Sequence, residues 1–332
     1  MARIRLDQAG AGSQQGESTI VERLRSGKAV PILSSTLVND RLLGGEEALV
    51  QAYADFYKYP LAERNLAEIT QYRGITDERI RDPLMLREEY LTFAKSRLFD
   101  LAEKSGLSAE RRAEVDAEFD TLLLDEMSQR LGYPPSQDDQ SNPFLLLAAL
   151  KLPIYLTTSY HSLLEDALQR NGCQPQSDYC RWNQKLVNEP SVLRKGFEPS
   201  VTQPLVYHLH GWETMPESLV LTEDDHYRFL MACAQDAGKS TDPVHDRVRR
   251  ELSLSSLLLL GYSLRSVEFR SLFWGLIVTR SDKKASVVSI HLKPNPVEQQ
   301  YLEKYLQKDH NFEVSWGDVG AYLQKLYQDV ID

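Results

Sequence analysis

Six short apolar runs, separated by longer amphipathic stretches, constrain the fold of this chain more than any other feature. KAVPIL (28–33), PIYLTT (153–158), LVYHLH (205–210), SLLLLGY (256–262), SVVSIHL (286–292) and FEVSW (312–316) all have the length and composition of strands. The richest are nearly continuous in apolar residues, as parallel strands are when helices cover both faces of the sheet. Helical patterns fall between them, including SLLEDALQRNG (162–172), which ends on a glycine suited to a C-cap, and VEQQYLEKYLQKD (297–309). This alternation predicts an α/β fold built on a doubly wound parallel sheet. The ligand site of such a sheet lies at the carboxyl ends of its strands. Four loops are expected to meet there: 34–45, 157–161, 210–222 and 261–266.

Between the first and second runs the pattern is helical. Leu91, Ala94, Leu98 and Leu101 recur at three- and four-residue steps, as do Val115, Phe119, Leu122 and Leu131 on the next segment. YPPSQDDQSN (133–142) is a cluster of helix breakers. The expected organisation is a tail over 1–18, a first strand with its nucleotide loop over 19–44, a helical subdomain over 45–150 and the rest of the sheet over 151–332.

Composition narrows the partners. The formal net charge is −10 and there is no dense Lys/Arg tract, so direct nucleic-acid binding is not expected. Arg247, Arg249 and Arg250 in HDRVRRELS read as the solvated face of a helix. The opening MARIRLDQAGAGSQQGEST has no signal-peptide core, and SLLLLGY is far too short to span a bilayer. Cys173, Cys180 and Cys233 lack CxxC pairing. They read as reduced, packed thiols in a cytoplasmic protein, with no metal site expected. Glu223, Asp224 and Asp225 suggest a metal cluster, but they also suit the first turn of a helix capped by Thr222, which is the simpler reading.

Three stretches are distinctive in their order and spacing: LPIYLTTSYHSLLEDAL (152–168), VYHLHGWETMPESLVLTEDDHYRFL (206–230) and LLLLGYSLRSVEFRSLF (257–273). Together they resemble the sirtuin-like NAD-consuming domains of bacteria, the kind found in antiphage defence proteins. In that family one strand ends in TTNYD, a later one in HG and a third in GYSLxD, while the first strand ends in a GAG turn. Here PILSSTLVNDRLLGG (31–45) takes the place of the GAG turn, and YPL (59–61) also resembles the family.

The resemblance implies a Rossmann-like sheet, a helical subdomain and an NAD site between them. It places His210 as the catalytic histidine, Gly261, Tyr262 and Ser263 on the adenosine side, and Thr157 and Thr158 on the nicotinamide side. Asp40, Tyr160 and Gly211 complete the expected cofactor-binding set. The departures cluster at the site. Ser34, Ser35 and Thr36 stand for the GAG turn, Ser159 for the family asparagine, His161 for the aspartate after it, and Ser266 for the last aspartate of GYSLxD. Hydroxyls donate to phosphate, but they do not allow the close backbone approach that glycine does.

Cleavage of nicotinamide from NAD passes through a cationic, oxocarbenium-like sugar and needs a positioned nucleophile. A histidine base at that point contributes roughly 10²–10⁴-fold. His210, at a strand end, is placed for this role, and His208 is expected on the opposite face of the strand. Two readings of Ser159 and His161 stay open. In the first they replace the lost polar contacts, and the chain hydrolyses NAD⁺ to nicotinamide and ADP-ribose. In the second the loop is catalytically degenerate, and the domain is a nucleotide sensor or assembly scaffold. A serine hydrolase lacks its G-x-S-x-G elbow, and a deacetylase lacks both the paired CxxC ribbon and the asparagine. The partners implied are NAD or an ADP-ribose-like nucleotide, further copies of the chain, and a defence-system protein.

Overall fold

The apolar runs become a single sheet in the computed structural model, which describes residues 14–62, 64–135, 142–239, 241–263, 265–277, 288–292 and 312–331. Its strands are β1 (Ala29–Leu33), β2 (Ile154–Thr157), β3 (Gln176–Tyr179), β4 (Leu205–His208), β5 (Ser256–Leu260), β6 (Val288–Leu292) and β7 (Phe312–Trp316). All pairings are parallel, in the order β3-β4-β2-β1-β5-β6-β7. This is the expected α/β, Rossmann-like arrangement, with one strand more than the sequence suggested. Strand β3 reads QSDY, too polar to stand out, because it is an edge strand with only its last two residues buried.

Alternation along each strand divides the core. Val30, Ile32, Leu257 and Leu259 face one side, while Ala29, Leu33, Leu258 and Leu260 face the other. Thirteen helices are described: α1 (Gln14–Arg25), α2 (Ser35–Leu42), α3 (Glu46–Phe56), α4 (Leu66–Thr76), α5 (Pro83–Lys104), α6 (Ala109–Ala117), α7 (Leu124–Leu131), α8 (Pro143–Ala149), α9 (Leu163–Arg170), α10 (Glu223–Gln235), α11 (Asp246–Leu254), α12 (Val267–Leu272) and α13 (Val319–Ile331). Phe229 of α10, Val248 of α11 and Phe269 of α12 cover the first side. Ile20 of α1, Leu37 of α2, Leu168 of α9 and Leu323 of α13 cover the second.

Helices α3–α8 occupy the segment expected to be helical; Val50, Tyr53, Ile69 and Tyr90 form an apolar cluster largely of their own, while other residues of the segment reach the sheet. Ala94 and Leu98 of α5 and Met127 of α7 share one apolar cluster with Leu33 and Leu260 of the sheet. Val115 and Leu131 do not lie on one helix, since the chain turns between Ala117 and Leu124, yet both are buried in that cluster. A polar clamp adds to the junction. Arg87 of α5 is buried, with Nη2 3.0 Å from both carboxylate oxygens of Asp225 and Nε donating to the Leu219 carbonyl at 2.9 Å.

Helix α1 begins at Gln14, inside the stretch expected as a tail, and residues 1–13 lie outside the described residues. The helical pattern at 297–309 and residues 136–141 of the breaker cluster lie outside them too. The acidic run 223–225 opens α10, where Thr222 accepts from the Asp225 amide and Asp225 returns the bond. On α11, Arg247 pairs with Glu198 and Arg249 with Asp242. No helix among the described residues is long and apolar enough to cross a membrane.

Candidate functional site

Strand order reverses at β1, which has β2 on one side and β5 on the other, and Ser34, Ser35, Thr158 and Tyr262 meet at this switch point. Ser34 caps α2 and is 1% exposed. The carboxylate of Glu268, in the first turn of α12, sits against this cap. It accepts from Ser34 Oγ at 3.0 Å, from the Ser35 amide at 3.0 Å and from Ser35 Oγ at 2.9 Å. Thr158 Oγ1, at the end of β2, donates to the same carboxylate. Thr158 also meets Tyr262 OH at 3.2 Å, and Tyr262 OH donates to the Leu33 carbonyl at 3.1 Å. Burial first, and then Glu268 nearby, push the Tyr262 hydroxyl far up, so it stays protonated as a donor. Gly261 has φ +79°, and a Cβ there would stand 2.8 Å from Leu37 Cγ, so its lack of a side chain admits α2.

Thr36 is half-buried, and its amide donates to Ser34 Oγ. Asp40 lies further along α2, exposed, where Oδ1 accepts from the Glu46 amide at the start of α3. The Ser263 carbonyl accepts from Ser266, which caps α12.

The TTSYH loop is buried and bonded largely to itself. Thr157 Oγ1 accepts from the Ser159 amide at 3.0 Å, and Ser159 Oγ accepts from the His161 amide at 3.1 Å. Tyr160 OH donates to the Val220 carbonyl at 2.6 Å, and its ring meets Tyr90 of α5 edge-on, so it ties the loop to the helical segment. His161 Nδ1 is 3.0 Å from Glu213 Oε2, with both side chains buried. His161 Nε2 and Glu213 Oε1 are buried without a hydrogen-bond partner.

A second histidine–carboxylate pair lies beside the first. His208 Nδ1 is 2.8 Å from the Ser159 carbonyl and Nε2 is 2.8 Å from Glu165 Oε1. Each ring nitrogen faces an oxygen that can accept, an arrangement that favours the imidazolium form. Burial works against this charge, but Glu165 and the Ser159 carbonyl together hold the His208 pKa above its usual value. Trp212 stacks on the ring at 5.5 Å and donates from Nε1 to Ser162 Oγ, so it packs here.

His210 is the opposite case. It is buried against His226 and Phe229, with Nε2 unpartnered. Burial first, and His226 second, drive its pKa well below the ordinary value, so it is neutral near pH 7. Strict alternation would put His208 and His210 on one face. They diverge because β4 ends at His208 and the chain turns, with Gly211 at φ +94°. A Cβ on Gly211 would stand 2.2 Å from the Ser218 carbonyl oxygen, so this glycine serves a backbone-to-backbone contact.

Four carboxylates at this end of the sheet were not singled out from the sequence: Asp125, Glu165, Glu213 and Glu268. Burial, and then Glu213, push Asp125 up to about 6, and Asp125 lines a cleft of about 150 Å³ that runs between α7 and α9. Two of the four contact residues singled out from the sequence. Glu213 of the HGWE turn pairs with His161. Glu268, two residues after Ser266, accepts from Ser34, Ser35 and Thr158.

Among the described residues no group of three His, Cys, Asp or Glu side chains is arranged to hold a metal ion. No curated protein matches the chain. Residues 153–314, from the start of β2 into β7, match the family model of the SIR2-like domain, a sirtuin-like NAD-binding module.

Proposed function

We propose that the chain binds NAD⁺ across the carboxyl ends of β1, β2, β4 and β5 and hydrolyses it to nicotinamide and ADP-ribose. The observation that carries this reading is the His161–Glu213 pair, whose imidazole keeps a buried, unpartnered Nε2. Glu213 accepts the proton of Nδ1, which leaves Nε2 with a lone pair. Water attacks the ribose C1′ and gives its proton to Nε2. The bond from C1′ to nicotinamide breaks, and its electron pair neutralises the ring nitrogen. The buried carboxylate of Glu213 favours the positive charge that builds on the sugar. His210, neutral and unpartnered at Nε2, offers a second acceptor at the end of β4. The hydroxyls of Ser34, Ser35 and Thr158 already hold a carboxylate, and oxygens of the diphosphate suit the same donors. The resemblance to antiphage defence proteins supports a role as a defence effector that acts as a homo-oligomer and is triggered by a partner protein.

One observation favours a catalytically degenerate sensor or scaffold instead. Ser34, Thr158, Ser159, His161, His210 and Tyr262 are all 4% exposed or less, so the strand ends are closed. The test is nicotinamide release from NAD⁺ by the purified protein over a range of protein concentrations, with His161→Ala, His210→Ala and Glu213→Gln alongside. Release that is lost in both alanine variants, and reduced with an altered pH profile in Glu213→Gln, supports hydrolysis. No release at any concentration, with no binding of NAD⁺ or ADP-ribose, overturns it in favour of the scaffold.

A further inference from the structure

The contact at the switch point says how such a ligand is admitted. Glu268 is held by an amide and two hydroxyls from the start of α2 and by a hydroxyl from β2. These donors belong to loops that follow two different strands, while the carboxylate itself belongs to the loop and helix that follow a third, β5. The bonds therefore bind three strand ends together, and their acceptor is an anion from the chain itself. Charge-assisted bonds of this kind are stronger than neutral ones.

A separate observation agrees. Leu37 of α2 stands directly over Gly261, close enough that a single methyl group there would lie 2.8 Å from Leu37 Cγ. The space between the β1 and β5 loops, where an open α/β sheet receives its ligand, is filled by these two contacts. The carboxylate sits on a short segment, since α12 has six residues and runs straight into a π-helical turn at Phe273–Ile277. Such turns recur at functional sites in helices.

We propose that Glu268 is an internal anionic ligand of the β1–β5 crevice, and that a phosphate-bearing ligand enters by displacing it. Closed, the four donors are satisfied by the carboxylate and Leu37 covers Gly261. Open, α12 carries Glu268 away, and the same donors face the incoming phosphate oxygens. Apparent affinity is then the intrinsic affinity multiplied by the open fraction. The proposal rests on the dinucleotide reading only for the identity of the ligand. The device itself requires no more than a phosphate or diphosphate group.

Isothermal titration calorimetry on the full chain tests it, with Glu268→Gln, Glu268→Asp and wild type titrated separately with ADP-ribose and with inorganic pyrophosphate. Glutamine keeps the shape without the charge, and aspartate keeps the charge on a shorter reach, so one variant covers a folding failure of the other. Thermal melting confirms that each variant is folded. The expected result is that Glu268→Gln binds ADP-ribose at least about tenfold more tightly than wild type, with Glu268→Asp between the two. Adding Ser35→Ala to Glu268→Gln removes most of that gain. If only pyrophosphate shows the gain and ADP-ribose binds to neither protein, the internal ligand stands and the dinucleotide reading falls. If ADP-ribose binds wild type and Glu268→Gln equally, the dinucleotide reading stands and the internal ligand is overturned. Absence of binding of either probe to any folded variant overturns it as well.

Discussion

Replacing His208 with alanine removes one member of a fully buried ion pair, and its cost follows from what remains. The side chains of His208 and Glu165 are 0% and 8% exposed, and the substitution deletes the 2.8 Å contact between them and the 2.8 Å bond to the Ser159 carbonyl. The stack with Trp212 goes too. What remains is a buried carboxylate whose other contact is the Ser177 hydroxyl at 2.7 Å. Breaking a buried pair from one side costs about 3–5 kcal/mol, mostly as the penalty of the stranded charge. Because Ser177 still bonds Glu165, the lower end applies, about 3 kcal/mol. The assay is urea unfolding followed by circular dichroism, with a Glu165→Gln/His208→Gln double variant as control. The double variant strands no charge and is expected to lose less than the sum of the two single changes. The pH dependence supplies a second readout. The folded-state pKa of His208 is raised from 6.5, so its stabilisation is complete below about pH 6.5 and is lost as pH rises through the raised value. A loss under 1 kcal/mol in His208→Ala would refute the reasoning, and so would wild-type stability that rises with pH through a step absent from His208→Gln.

The remaining predictions concern burial of the opposite kind and the junction of the helical segment with the sheet. His226 is buried as a neutral ring with its pKa lowered to about 3, so its contribution is present above about pH 6.5 and is lost as pH falls towards 3. His226→Gln is expected to flatten acid unfolding over that window, read by tryptophan fluorescence, and an unchanged acid midpoint would contradict the assignment. Arg87→Met leaves the buried Asp225 carboxylate with only the Leu221 and Thr222 amides as donors, and is expected to cost about 3 kcal/mol in thermal or urea melts. Adding Asp225→Asn should recover part of that loss, and a purely additive result would mean that the pair is not what joins α5 to α10.

Legibility varied with the kind of signal. Five apolar runs after residue 150 and one before it gave strands at the expected places, because burial on both faces leaves its mark in the strand itself. β3 left no such mark, since an edge strand needs little apolar content. The helical segment was legible as helices from its three- and four-residue spacing. That Ala94, Leu98 and Met127 pack into the core of the sheet was not, because spacing shows which face is apolar and not what it meets. At the site, Ser34, Ser35, Thr158, Ser159, His161 and Tyr262 could be named from motif positions. Their partners could not. Glu213 lies 52 residues from His161, and Glu268 lies 234 residues from Ser34.

The sequence by itself determined the sheet, its alternation with helices and the strand ends where polar residues meet, since all three follow from local periodicity and from the geometry of parallel strands. Only the tertiary structure decided the state of those residues. It set His208 between two acceptors that raise its pKa and His210 beside His226 and Phe229 where its pKa falls, and it brought the Glu268 carboxylate onto the donors of α2. The physical reason is that charge and protonation depend on the atoms within a few ångströms, and a folded chain draws those atoms from residues far apart in sequence.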